Sequence, residues 1–111
     1  MRKTEKFIVA LVTASDKKQG RKIAAGILKD RLAACVNIID NVESHYTWKG
    51  KFETSEEVLL LIKTRASLAV KLTRKIKQVH SYEVPEIIFL PVTAGSKEYL
   101  SWLASETSLK K

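Results

Sequence analysis

The chain is poor in cysteine: its 111 residues contain one, Cys35. That excludes an intramolecular disulfide, and a secreted domain this small would often carry several. No run of about 18 apolar residues occurs, so no helix is predicted to cross a membrane. Four of the first six residues are charged, and the apolar run after them reaches only from Phe7 to Val12. Such a run is too short for a signal-peptide core. These absences together predict a cytoplasmic protein. There is no Gly-rich phosphate loop of Walker type, no Gly-x-Ser-x-Gly elbow and no metalloprotease helix motif. Repeats and low-complexity segments are missing, and no block of five or six like charges occurs.

What is present is an ordinary globular composition, 45% hydrophobic, with 20 basic residues against 12 acidic ones and a net charge of +8. The length predicts a single domain over residues 1–111 with one modest core. The positive charge is scattered. Its densest clusters are Arg2-Lys3, residues 17–22, residues 74–77 and Lys110-Lys111. Solvated helix faces explain them, and a weak electrostatic partner such as RNA is the competing reading.

Hydrophobic periodicity gives an alternating order of elements. Residues 7–13 form a β-branched apolar run, predicted as a strand buried on both faces. Ser15-Asp16 offers a helix cap, with Gln19 at capping-box spacing. Ile23, Ala24, Ile27 and Leu28 make the apolar stripe of a first helix over 17–30. Gly20 and Gly26 weaken that helix, so close packing against a sheet is expected at both. A second strand is predicted over 32–39, continuing to Trp48 with a bulge near Asp40-Asn41. Residues 48–51 read as a hairpin turn around Gly50. A third strand is predicted over 52–63, a second helix over 67–79, and a loop over 80–86. A fourth strand over 87–90 is expected to stop at Pro91. Ser96 caps a last helix, and the tail after Ser105 is expected to fray.

The order β-α-β-β-α-β-α is that of an α+β, ferredoxin-like split βαβ with an added C-terminal helix. Its crossovers put two helices on one face of a four-stranded antiparallel sheet. The chain is too short to cover the other face fully, and strands two and three are longer than one core requires. Both facts predict a partner subunit.

The fold alone does not fix the function. An RNA-recognition module needs stacked aromatics on its third strand. Here that strand holds one aromatic, Phe52, beside Glu53, Glu56 and Glu57, so nucleic acid is an unfavoured partner. Cys35 sits in an apolar strand, where a free thiol packs as a small hydrophobe. Glu56 and Glu57 are adjacent on a strand and point to opposite faces, so they form no acid/base pair. The chain is accordingly predicted not to be an enzyme. The most chemical segment is 80–86, with His80, Ser81, Tyr82, Glu83 and Glu86. Imidazole plus carboxylate suits Zn²⁺ or Cu²⁺. From the residues alone, a metal loop and a polar turn leading into strand four both stand open.

Five segments resemble the CutA (divalent-cation tolerance protein) family in order and spacing. They are residues 31–38, 46–51, 61–64, 80–88 and 99–103, the fourth reading His-Ser-Tyr-Glu-Val-Pro-Glu-Ile-Ile. The resemblance implies a homotrimer with the PII-like architecture, strands two and three pairing across subunits, and a role in tolerance of or response to divalent ions, copper above all. Copper-binding bacterial members use a Cys and a pair of His, whose places here hold Val12, Val79 and His80. Only His80 matches. The implied metal residues are therefore His80 with Glu83 and Glu86, holding Cu²⁺ or another divalent cation weakly. A PII-like alternative is a small ligand in clefts between subunits, lined by Trp48, Glu57, Lys63 and Tyr82.

Overall fold

The computed structural model describes residues 6–108, so the charge clusters at Arg2-Lys3 and Lys110-Lys111 lie outside the described residues. The elements are β1 (Phe7–Ala14), α1 (Lys17–Lys29), β2 (Cys35–Trp48), β3 (Lys51–Arg65), α2 (Ala69–Val79), β4 (Ile87–Val92) and α3 (Lys97–Glu106), with a 3₁₀ turn at Ala66–Leu68. All strand pairs are antiparallel, in the order β2-β3-β1-β4. This is the predicted α+β, ferredoxin-like arrangement.

Alternation along β1 and β3 makes one face of the sheet apolar. Ala10 and Val12 pair with Ile62 and Leu60, and all four are fully buried. Against them lie Ile23 and Ile27 of α1 and Leu72 and Ile76 of α2. The cations predicted off these stripes, Arg21, Lys22, Lys71 and Arg74, are exposed. The other face is barer. There α3 packs against β3, with the Lys63 ammonium 5.9 Å from the Tyr99 ring centre. Ile88 and Leu90 of β4 stay exposed.

Several boundaries differ from expectation, each for a local reason. The apolar run from Leu32 does not begin a strand at once. Arg31 takes a left-handed backbone (φ 57°), and the Leu32 and Arg31 amides donate to the Ile27 and Leu28 carbonyls. That is a Schellman ending of α1, with Leu32 as its apolar plug, and β2 starts only at Cys35. Pro91 does not stop β4. It pairs opposite Ile8, which an edge strand tolerates because proline's missing N–H can face outward. The tail after Ser105 does not fray at once: Thr107 is fully buried and takes hydrogen bonds from Arg65 Nε (2.9 Å) and Nη2 (2.7 Å). Of the two helix glycines, Gly20 meets the sheet, where an added Cβ would lie 3.2 Å from Leu60. Gly26 faces only the Lys75 side chain of α2.

The expected bulge is present. Ile39 pairs with Leu59 and Val42 with Glu57, so Asp40 and Asn41 together oppose one residue. Asn41 adopts φ 60°, and its amide donates to Asp40 Oδ1 at 2.8 Å. β1 ends at the Ala14–Val58 pair. Beyond it, residues 42–48 and 51–57 pair only with each other. They form an arm closed by Lys49 (φ 52°) and Gly50 (φ 80°), both left-handed as a two-residue hairpin turn of type I′ requires. The arm gives the molecule extents of 50 × 27 × 22 Å and a radius of gyration of 15.0 Å. A compact chain of this length would have a radius of about 13 Å.

Candidate functional site

The ends of β1 and α2, the start of α1 and the root of the arm converge at one end of the sheet. His80 closes α2 there and is buried. Its Nε2 lies 2.7 Å from the Thr13 carbonyl oxygen, which can only accept. Its Nδ1 accepts from the Tyr82 amide at 3.1 Å. Both contacts hold together only in the Nε2–H tautomer. The Tyr82 ring also packs on the imidazole, with centres 4.6 Å apart. The loop is tied further by Gln19 Oε1, which accepts from the Ser81 amide at 2.7 Å. Gln19 therefore serves the loop rather than the reciprocal capping box its spacing predicts. Asp16 caps α1 alone, accepting from the Gln19 amide at 2.8 Å.

Tyr82 O–H donates to Glu57 Oε2 at 2.6 Å. Glu57 is itself buried at the arm root. Burial first, and then the hydrogen bond and negative charge of Glu57, raise the Tyr82 phenol above its ordinary pKa of 10.0. Beside this pair is an open cavity of about 390 Å³, lined by Asp16, Lys17, Lys18, Asp40, Glu56 and Glu57 among others. Lys17 and Asp40 are 3.4 Å apart across it. The Asn41 amide holds the Asp40 carboxyl below its usual range, with Lys17 adding to that effect.

The seven residues singled out from the sequence are thus distributed unevenly. His80, Tyr82 and Glu57 form one connected cluster. Glu83 and Glu86 are exposed on the following loop. Among the described residues no three His, Cys, Asp or Glu side chains are grouped so as to hold a metal ion, so His80, Glu83 and Glu86 are not a ready ligand set within one protomer. Lys63 lies on the α3 side of the sheet against Tyr99. Trp48 is at the arm tip under Lys49, whose ammonium is 5.6 Å from the indole. Six residues of strand separate its partner Lys51 from Glu57, roughly 20 Å. Within one protomer Trp48 therefore cannot line the same cleft as Glu57. Sequence reading missed Thr13 and Gln19, because a backbone carbonyl and a helix-start glutamine carry no motif. It also missed the second histidine's partner: His45 Nε2 lies 2.6 Å from Glu43 Oε2 on the arm, both exposed.

Comparison with known proteins bears on this geometry. The family model described as CutA1 divalent ion tolerance protein matches residues 8–106. Protein CutA, chloroplastic, of Arabidopsis thaliana is 48% identical over 105 residues, 95% of this chain and 58% of that protein. The divalent-cation tolerance protein CutA of Thermus thermophilus is 42% identical over 89% of this chain and 96% of its own length. The chain thus spans little more than half the length of its plant and mammalian relatives, 55–58% in the Arabidopsis, rice and mouse proteins. The crystal structure of CutA1 from Oryza sativa superposes with a TM-score of 0.92 at 46% identity, covering 96% of this chain and 98% of that one. A protein of Archaeoglobus fulgidus described as a periplasmic divalent cation tolerance protein superposes at 0.87 with 33% identity, over 95% and 100% of the two chains. The matched span takes in β1, the arm, the His80 loop and α3. By sequence and by fold, the chain belongs to the CutA1 divalent ion tolerance family.

Proposed function

We propose that this protein acts without catalysis in divalent-ion tolerance, as a homotrimer that holds Cu²⁺ or a similar cation weakly at the His80 loop. One observation carries the ion reading: the hydrogen bond from His80 Nε2–H to the Thr13 carbonyl. Metal-ligating histidines characteristically anchor one ring N–H on a carbonyl or carboxylate and offer the other nitrogen. Here the other nitrogen is Nδ1, occupied only by the Tyr82 amide. Freeing it costs one hydrogen bond, about 0.5–1.5 kcal/mol net, which fits weak binding. Glu83 and Glu86, exposed on the same loop, supply the carboxylates. Ligands still wanting would come from a neighbouring subunit. The homotrimer reading is supported by the arm, whose two strands find no third partner in the protomer. A cytoplasmic setting belongs to the same proposal and is checked by fractionation.

The test is a calorimetric Cu²⁺ titration of untagged, reduced protein. Wild type is expected to give a weak saturable isotherm that disappears in His80→Ala and shrinks in Glu83→Gln/Glu86→Gln. Identical isotherms for all three would remove the loop from ion binding.

The buried Glu57–Tyr82 pair beside the cavity favours a second reading, a PII-like ligand site in the clefts between subunits. In that reading Trp48 reaches the cleft from a neighbour's arm, and Lys63 lines it only through the assembly. A thermal-shift screen of nucleotides separates the two, since a ligand at 100 times its Kd stabilises by about 2.7 kcal/mol.

A further inference from the structure

Charge in this molecule is sorted by element. α1 carries five cations and α2 four, and neither helix contains an acid. The arm, in contrast, holds Glu43, Glu53, Glu56 and Glu57. Little of the positive charge on the helices is neutralised from within. Lys17 meets Asp40 at 3.4 Å and Lys75 meets Asp30 at 3.0 Å. Arg21 acts on Asp40 only through its field. Among the described residues the other helix cations, Lys18, Lys22, Lys29, Lys71, Arg74 and Lys77, make no ion pair. Asp16, at the start of α1, is turned to the Gln19 amide as its cap. A net charge of +8 spread evenly would be a solubility term, but a segregated one makes a local field.

Helical geometry gathers these cations on the outer surface. At about 100° per residue, Lys18, Lys22, Ala25 and Lys29 fall within about 60° of one another around α1, on the side away from Ile23 and Ile27. All four are exposed, and the two isoleucines are fully buried. The stripe is about 16 Å long at 1.5 Å per residue. Ala25 keeps its middle low. α2 lies alongside and antiparallel, since Gln19 near the start of α1 reaches Ser81 just past α2, and Asp30 just past α1 reaches Lys75. Exposed Lys71 and Arg74 carry the positive layer across α2. Neither helix contains an aromatic residue. The layer therefore has nothing on which unpaired bases could stack and no aromatic to anchor it in a bilayer interface. Charge without stacking suits phosphates whose bases are already paired inside a duplex. The acids and missing aromatics of β3 weigh against single strands on the sheet and leave this opposite surface untouched.

We propose that the α1–α2 layer binds the phosphate backbone of double-helical nucleic acid without reading its sequence, through Lys18, Lys22 and Lys29 of α1 and Lys71 of α2. This goes beyond ion tolerance and does not rest on it. Each ammonium that neutralises a phosphate releases condensed counterions, so the affinity falls steeply with salt. No base edge is contacted, so duplexes of different sequence bind alike.

The experiment is fluorescence anisotropy of short labelled DNA and RNA duplexes with the untagged protein, from about 50 to 200 mM salt. Binding to either duplex at the low end is expected, and binding to neither would overturn the proposal. The variant Lys18→Gln/Lys22→Gln/Lys29→Gln should make the slope of log affinity against log salt shallower by about 2.7, about 0.9 for each lost contact. A control variant, Lys6→Gln/Lys51→Gln/Lys97→Gln, removes the same charge elsewhere and should keep the wild-type slope. All six positions are exposed, and glutamine forms helix about as well as lysine, so folding is retained. Equal losses in the two variants would mean that net charge alone drives binding, and the helix layer would lose its role. Vesicles of phosphatidylserine and phosphatidylcholine are the third probe. Tighter binding to them than to either duplex, at equal phosphate concentration, would overturn the duplex assignment in favour of a membrane surface.

Discussion

The helix-covered half of the sheet and the two-stranded arm are made from the same two strands under different rules. In the lower part of β3, Val58, Leu60 and Ile62 are buried between α1, α2 and β1. In the upper part, residues 51–54 are all exposed and pair with β2 alone among the described strands. The lower half is held by packing within one chain. A two-stranded ribbon alone in water is marginal at best. Chain length is divided between one core and one projection, and on the homotrimer proposal the projection draws its stability from a neighbouring copy.

Substitutions can test that division directly. The largest effect should come from Leu60→Ala. Leu60 is fully buried at the centre of the core, and truncating such a leucine costs about 2–5 kcal/mol. Urea unfolding should lose that amount at any protein concentration. Phe52→Ala on the arm should leave the same protomer transition in place and change only its dependence on protein concentration. If Phe52→Ala lowered stability equally at all concentrations, the arm would be part of the core and the division would fall.

Next comes the joint between the two regions. Thr64 Oγ1 donates to the Leu32 carbonyl at 2.8 Å in a fully buried place. Thr64→Val would leave that carbonyl unpaired, for a loss of about 1–3 kcal/mol. At the arm root, Tyr82→Phe removes the phenol that donates to buried Glu57, with a loss in the same range. The two variants should differ in pH dependence. The folded state raises the Tyr82 pKa above 10.0, so it holds the phenol proton more tightly than the unfolded chain does. That stabilisation is complete below pH 10.0 and is lost as pH rises above it. Wild type and Thr64→Val should therefore lose stability above about pH 10 more steeply than Tyr82→Phe. Parallel curves for all three would mean that Tyr82 keeps no special hold on its proton.

Much of the core was legible in the sequence because periodicity reports burial. The Ile23/Ile27 and Leu72/Ile76 stripes and the β1 run all face inward as their spacing implies. The bulge at Asp40-Asn41 was readable from strand length alone. Boundaries that depend on backbone carbonyls were not. Arg31 as a left-handed helix ending looks in sequence like the start of a strand, because the Leu32 that plugs it is apolar. Thr107 looks like a fraying tail, because its Arg65 partner lies 42 positions away. The site divided in the same way. Residues 80–86 were marked by their chemistry, but Thr13 contributes an oxygen that every residue has. Trp48 and Lys63 were joined to Glu57 by resemblance, and only an assembly could bring them near it.

The smallest effect concerns the two glycines of α1, which the sequence could not tell apart. A Cβ on Gly20 would sit 3.2 Å from Leu60 and 3.3 Å from Val58, both immobilised in the core. A Cβ on Gly26 would meet only Lys75 Cε at 3.4 Å, the far part of a flexible side chain. Neither position has a positive φ. Gly26→Ala should therefore stabilise by about 0.4–1 kcal/mol, through the entropy it removes from the unfolded chain. At Gly20 the same entropic gain is opposed by crowding of the sheet, which typically costs 1–3 kcal/mol. Thermal unfolding should thus move up for Gly26→Ala and down for Gly20→Ala. Equal upward shifts would mean that the α1–sheet contact has slack, and the tight packing assigned to the helix-covered half would have to be relaxed there.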